Sequence, residues 1–148
     1  MQWSNDEHAG FSTVKPWLKV NANYEWLYVE ANKKDDDSIL NYYKKLLAIR
    51  KKENLVIDGN DIDLFPKHKE IYAYMRTGTK EKLLVVANYS AKNVKIDLSF
   101  VPEKYDILIN NYPVLDLNNI EPYQAFILKN LIFLLQKILL RQPRQRRL

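Results

Sequence analysis

The carboxylates are the first groups in this 148-residue sequence whose type and spacing could do chemistry. Asp58, Asp61 and Asp63 lie close together, and two carboxyls held near one another can act as a general acid beside a base or nucleophile. Such work needs one carboxyl with a raised pKa, which comes from burial or from a like charge fixed close by. These three fall on a turn and on the polar side of an alternating segment, so they read as a solvated strand face. Asp35-Asp36-Asp37 could attract calcium, but the run lacks the alternating ligands and the turn glycine of a calcium loop, so it reads as the start of a helix. His8 and His68 are the two histidines, and there is no cysteine. A metal site would have to recruit distant carboxylates, and thiolate catalysis and disulfides are ruled out. By their own types and spacing the residues identify no catalytic group, no cofactor-binding group and no metal ligand.

The aromatic residues offer a second kind of chemistry, stacking. Trp3, Trp17 and Trp26 all fall in the first 37 residues, with Phe11, Tyr24 and Tyr28. They could form a platform for sugar rings, as could Tyr72 and Tyr74, or they could fasten a loop to a scaffold. The stretch has no sustained period of 2 or 3.6 apart from a short apolar patch at Trp26 to Val29. Disordered segments are poor in aromatics, so an ordered loop resting on a scaffold is the expectation. No scaffold precedes it in the sequence, which points to truncation. His8 is expected to be an exposed loop residue. Asn88-Tyr89-Ser90 fits the glycosylation pattern, but no secretory signal accompanies it and it falls at a strand end. Gly10, Gly59 and Gly78 are the three glycines and form no nucleotide-binding pattern.

The elements that must carry these residues follow from periodicity. After Ser38, Ile39, Tyr43, Leu46, Leu47 and Arg50 recur at spacings of three and four, with Leu40 widening the stripe and Asn41, Lys44, Lys45 and Lys51 opposite. This predicts a helix from Asp35 to Asn54, with Arg50, Lys51 and Lys52 at its negative end. The period then changes to two. Ile62 and Leu64 alternate with aspartates; Ile71, Ala73 and Met75 with Tyr72, Tyr74 and Arg76; Val94, Ile96, Leu98 and Phe100 with Lys95, Asp97 and Ser99. Leu83 to Ala87 is an unbroken apolar run suited to a strand covered on both faces. Tyr105 to Ile109 and Tyr123 to Leu128 supply two more. Short turns between strands, with no helical period, predict an antiparallel sheet folded into a β-sandwich.

Charge adds little to the functional reading of the body. There are 23 Lys and Arg against 18 Asp and Glu, but six of the cations lie at or after Lys129 with no acid among them, leaving 17 against 18 before it. Cations interspersed with acids do not make a nucleic-acid-binding face. Residues 130–148 are apolar nearly all round a helix and end in an arginine-rich run. They are too short to span a bilayer, which takes roughly 20 apolar residues. They could instead touch a membrane surface or an acidic partner. With no secretory signal and no cysteine, a cytoplasmic location is expected.

Several motifs taken in order carry a resemblance. Met1-Gln2-Trp3, Ala9-Gly10-Phe11-Ser12, Lys15-Pro16-Trp17-Leu18, Val20-Asn21, Asn23-Tyr24 and Ser38 to Tyr43 resemble the end of the catalytic domain of α-glucosidases in glycoside hydrolase family 13. The oligo-1,6-glucosidases and the trehalulose or isomaltulose synthases are the nearest. Ile71 to Tyr74, Leu83 to Asn88, Ile109 to Tyr112 and Pro122 to Phe126 resemble the C-terminal antiparallel domain of the same family. The resemblance runs in register over about residues 1–129. Ser4 stands where the family usually has Asp after Met-Gln-Trp, and the Arg-Thr-Pro that normally precedes the Met is absent.

The resemblance implies a mainly β chain with some α: the end of a TIM barrel, loop plus last helix, in residues 1–54, then an antiparallel β-sandwich in 55–129, then an atypical tail in 130–148. It implies a parent enzyme that acts on short α-glucosidic oligosaccharides with retention. There one Asp attacks the anomeric carbon and one Glu protonates the leaving oxygen, the two carboxylates lying about 5–5.5 Å apart. Both would lie upstream of Met1, as would a third assisting carboxylate. The chain alone is then expected to be inactive and to serve as a stabilising C-terminal domain. With part of the barrel missing, the stripe on Ile39, Tyr43, Leu46 and Leu47 should either pack on the sandwich or stay exposed and favour self-association. The alternatives are a stand-alone carbohydrate-binding β-module and an interaction protein working through the basic tail.

Overall fold

The computed structural model describes residues 1–129. Their contacts divide the chain into two units, Met1–Ala48 and a second beginning at Ile49. The first is mostly loop. One-turn 3-10 helices at Glu7–Gly10 and Ala22–Glu25 lead to α1 (Val29–Lys34) and the start of α2 (Ile39–Lys52). The backbone folds back on itself at Ala9, whose carbonyl accepts from the amides of Trp3 (3.0 Å) and Ser4 (3.4 Å). This reversal puts three successive residues in left-handed backbone: His8 (φ 61°), Ala9 (φ 54°) and Gly10 (φ 70°). Only the last has no Cβ to strain there. The amides of Val29 and Glu30 then donate to the carbonyls of Gln2 and Trp3 at 2.9 and 3.2 Å, tying α1 to the opening segment.

Ser38 starts α2: its Oγ accepts from the Asn41 amide (3.2 Å) and donates to the Asn32 carbonyl (2.6 Å). The Asn41 side chain donates to the carbonyls of Asn32 and Asp35, joining the end of α1 to the start of α2. The aspartate run expected to cap the helix serves the turn before it, Asp35 Oδ1 accepting from the Asp37 amide at 2.9 Å. The helix itself forms as its period predicts, but its apolar stripe is only partly covered, Leu40 and Leu46 being half-buried. Ile39, Tyr43 and Leu47 remain exposed and no residue of α2 is buried.

In the second unit the end of α2 runs into a short helix, α3 (Leu55–Asp58), and then five strands: β1 (Asn60–Asp63), β2 (Ile71–Thr77), β3 (Lys82–Asn88), β4 (Asp106–Asn110) and β5 (Ala125–Lys129). They form one antiparallel sheet in the order β1-β2-β3-β5-β4. Alternation assigns the faces. Ala73, Val86 and Phe126 are cross-strand partners, as are Met75, Leu84 and Leu128. With Ile71 they make the buried face. β3 lies at the centre, which explains its unbroken apolar run.

The layer covering that face departs from expectation. Val94 to Phe100 alternates as a strand would, yet forms no strand; its one ladder contact is the bridge from Val94 to Ile120. Asp97 Oδ1 caps the Ser99 amide (3.0 Å), and the Val101 amide turns back to the Leu98 carbonyl (2.9 Å). Val94, Leu98 and Ile120 are still buried in the core, with Ile96, Phe100, Leu115 and Leu117 packed against it. The second layer is therefore apolar loop rather than a paired sheet.

Two buried amides hold that layer in place. Asn88, 3% exposed, donates to the carbonyls of Lys92 (2.8 Å) and Glu121 (2.9 Å) and accepts from the amide and hydroxyl of Ser90. Gln124, fully buried, accepts from the Glu121 amide (2.9 Å) and donates to Asn110 Oδ1 (3.0 Å). Polar side chains at such depth are tolerated because each donor and acceptor is met.

Candidate functional site

The carboxylate cluster does not assemble into a centre. Asp58 ends α3 and Asp61 and Asp63 lie on β1; all three are exposed, so the burial that a proton-holding acid needs is missing. Asp61 lies opposite Arg76 in the β1–β2 ladder, and their charged ends are 3.5 Å apart. Among the described residues no three His, Asp or Glu side chains come together as metal ligands.

Of the two histidines, His68 has a structural role. His68 Nδ1 accepts from the amides of Glu70 (3.1 Å) and Ile71 (3.0 Å) and so closes the turn into β2. His8, expected to be exposed, is partly covered, its side chain 20% accessible and 3.7 Å from Glu7. The glycosylation pattern at Asn88 is closed off by the same hydrogen bonds that bury the amide.

The tryptophans are placed differently. Trp17 is 93% exposed, Trp26 70% and Trp3 55%. Beside Trp17 lies an open cleft of about 550 Å³ whose lining includes Gln2, Phe11, Pro16, Asn21 and Asn23. Inside it the Gln2 side chain donates to Asn23 Oδ1. The lining has apolar walls, amide groups and the ammonium of Lys19 but no carboxylate, so it offers contacts to a polar molecule without the paired carboxyls of a glycosidase centre.

On the open face of the sheet, charge collects at one end. Lys129 Nζ reaches Glu53 Oε2 at 2.6 Å and Glu81 Oε2 at 3.3 Å. The hydrogen bond to Glu53 is the chief reason that the lysine's pKa is raised, with Glu81 adding and burial opposing. Arg76 donates to the carbonyls of Leu55 (3.3 Å), Val56 (2.9 Å) and Ile57 (3.2 Å), where a cation complements the negative end of α3. Toward the other end, Tyr72, Tyr74 and Tyr89 form an aromatic cluster with centroids 5.4 and 6.4 Å apart. Burial pushes the Tyr74 phenol up, with Tyr72 and Asp61 adding and Arg76 opposing.

This order of a loop-and-helix unit followed by an antiparallel sheet is matched by two family models. Residues 1–59 match the α-amylase catalytic domain and residues 64–127 the maltogenic amylase C-terminal domain. The chain belongs to the α-amylase family. It is 38% identical over 138 residues to the oligo-1,6-glucosidase of Bacillus cereus, covering 87% of this chain and 24% of that enzyme. Among solved structures it is similar to trehalose-6-phosphate hydrolase of Bacillus licheniformis (TM-score 0.78, 32% identity), over 86% of this chain and 24% of that one. It is likewise similar to isomaltulose synthase of Klebsiella sp. LX3 (TM-score 0.75, 32% identity), again over 86% and 24%. The chain thus spans about a quarter of the length of the relatives it matches. The expected fold class, the end of a barrel domain followed by an antiparallel C-terminal domain, holds, with the second layer of that domain irregular. Residues 130–148, read from sequence as an apolar and basic tail, lie outside the described residues. Among the described residues no helix is long and apolar enough to cross a membrane.

Proposed function

We propose that this chain is the C-terminal portion of an α-glucosidase acting on short α-glucosidic oligosaccharides by a retaining mechanism. On this reading residues 1–54 are the closing loop and last helix of a (β/α)8 catalytic domain and residues 55–129 are its C-terminal domain. The chain contributes stability to that catalytic domain and none of the reacting carboxylates. It needs no cofactor and works in the cytoplasm. The observation that carries the reading is the division of family matches: the first 59 residues correspond to a catalytic domain, yet the unit Met1–Ala48 buries a single apolar side chain, Ala9. A segment of that kind is a piece of a larger packed layer. Its exposed tryptophans and the exposed Ile39, Tyr43 and Leu47 of α2 are then surfaces that a barrel covers.

The test is direct. The purified chain is incubated with p-nitrophenyl α-glucoside and titrated with maltose and isomaltose while tryptophan fluorescence is followed. No turnover above buffer and no saturable change are expected. Turnover by a clean preparation would overturn the reading, and a saturable fluorescence change without turnover would favour a carbohydrate-binding module instead.

A further inference from the structure

We propose that the segment after Lys129 folds back over the open face of its own sheet, its apolar run covering the tyrosine and aliphatic rows and its arginines meeting the acids at their end. The contact does not depend on the function proposed above, and it makes the acidic partner of the basic tail the chain itself.

The open face is apolar in the middle and charged at its margins. Cross-strand partners set it out in rows: Tyr72, Ala87 and Ala125; then Asp63, Tyr74, Val85, Ile127 and Ile109; then Asp61, Arg76, Leu83, Lys129 and Asp106. In the last row the cations are already held, Arg76 by Asp61 and the carbonyls of α3, Lys129 by Glu53 and Glu81. Ile109 is buried at one end of its row, but Val85, Ala87, Ala125 and Ile127 are only half-buried and Tyr72 is exposed. Alternation puts Glu70 on the same side as Tyr72, and the Glu70 carbonyl accepts from the Tyr89 amide at 2.8 Å. Among the described residues neither Asp63 nor Glu70 is ion-paired.

Charge, pattern and length fit the occupant to this face. The segment carries Lys137, Arg141, Arg144, Arg146 and Arg147 and no acid. Within it Ile132, Leu135, Ile138 and Leu139 recur at spacings of three and four, which sets them on one side of a helix with Lys137 opposite. β5 leaves the sheet at Lys129, in the charged row, between β3 and β4. After a turn at Asn130 and Leu131, residues 132–140 as a helix are about 14 Å long. The strand from Lys129 back to Ala125 spans about 13 Å, so the apolar side ends where the face ends. Arg141 and the arginines after it then arrive beside Glu70, Tyr72 and Tyr89, where a guanidinium finds a carboxylate and the faces of phenol rings.

The sequence has no cysteine, so paired substitutions report the contact. In the complete chain carrying Val85→Cys with Leu135→Cys, an intramolecular disulfide should form under mild oxidation at least tenfold faster than with Val85→Cys and Lys137→Cys, whose second thiol lies on the far side of the run. Nitration of Tyr72 and Tyr89 by tetranitromethane should speed up several-fold in Leu135→Glu combined with Ile138→Glu. Tyr43, exposed on α2, should be nitrated equally in both chains. Equal rates for the two cysteine pairs, or unchanged nitration in a folded glutamate variant, would overturn the inference. So would a bridge that joins two chains, which assigns the face to a second copy. Protection of the tyrosines only on phosphatidylserine vesicles would overturn it as well, by assigning the run to a membrane. The cysteine pairs leave the apolar run nearly intact, so their outcome stands even if the glutamate variant fails to fold.

Discussion

Met1–Ala48 holds all three tryptophans and buries one apolar side chain, Ala9; the sheet region holds no tryptophan, yet Met75, Leu84, Val86, Ile120, Phe126 and Leu128 are each at 1% exposure or less. Apolar content alone does not make an interior. In the sheet region the alternation places every second side chain on one face, and an apolar loop layer closes over it. In Met1–Ala48 the aromatics point from loop segments with no opposing layer. What holds those segments is polar: the reversal at Ala9, the bonds from Val29 and Glu30 to the opening segment, and the Ser38 and Asn41 contacts between α1 and α2. Each such bond contributes about 1 kcal/mol net, whereas each large core side chain contributes roughly 1.5–3 kcal/mol. The two regions are therefore stabilised by different physics.

The comparison breaks most readily at its extremes. Phe126→Ala, which empties a fully packed position, should cost the sheet about 3–5 kcal/mol in urea unfolding. Trp17→Ala removes a larger side chain at an open position and should change stability by no more than about 0.5 kcal/mol. Similar losses from the two variants would mean that the tryptophan loop has an interior after all.

A smaller effect sharpens the contrast between the polar contacts of the two regions. Asn88→Ala removes the buried amide's hydrogen bonds to the carbonyls of Lys92, Ile120 and Glu121 and should cost about 1–3 kcal/mol, read in global unfolding of the sheet. Ser38→Ala removes the cap of α2 and should cost about 1 kcal/mol. Its signature should be faster amide hydrogen exchange in the first turn of α2, with the sheet amides unchanged. Global destabilisation by Ser38→Ala would show that the cap is coupled to the core.

How much of this was legible depended on whether local pattern and tertiary partner coincide. β2, β3 and β5 were legible because alternation or continuous apolarity there matches burial within the sheet itself, and α2 because its period is strong over 14 residues. The run Val94 to Phe100 has the same alternation and buries Val94 and Leu98, but the Asx turn at Asp97 bends the backbone away from pairing. Alternation reports burial on one side, not a ladder. α1 and α3 are six and four residues long, too short to show a period. The placing of Asn88 and Gln124 was invisible in sequence because each is defined by distant carbonyls. The solvated setting of Asp58, Asp61 and Asp63 was legible, since they fall on a turn and on the polar side of an alternating segment. The charged end of the open face was not, because Arg76 and Lys129 acquire their meaning from Leu55 and Glu53, which are far from them in the chain.

The least of the expected effects concerns two lysines of the sheet that respond to alkali in opposite senses. Lys129 has its pKa raised above the ordinary 10.5, chiefly by the hydrogen bond to Glu53. A cation with a raised folded-state pKa contributes stability that is complete below the unfolded value and is lost as pH rises through the folded value. Lys82 is the reverse: burial pushes its ammonium below 10.5. Its charged form costs stability at lower pH, and that cost is relieved as pH rises from the folded value toward the unfolded one. Wild-type stability in the alkaline range is the balance of a gain from Lys82 and a later loss from Lys129. Glu53→Gln keeps an oxygen for Lys129 but removes the charge, so the alkaline loss, which begins at the unfolded value in either protein, should end at a lower pH and its total amplitude should shrink. Lys82→Met should remove the gain and leave the loss. Melting temperatures taken across the alkaline range check both, and an identical profile in the wild type and Glu53→Gln would mean that the contact between Lys129 and Glu53 does not persist in solution.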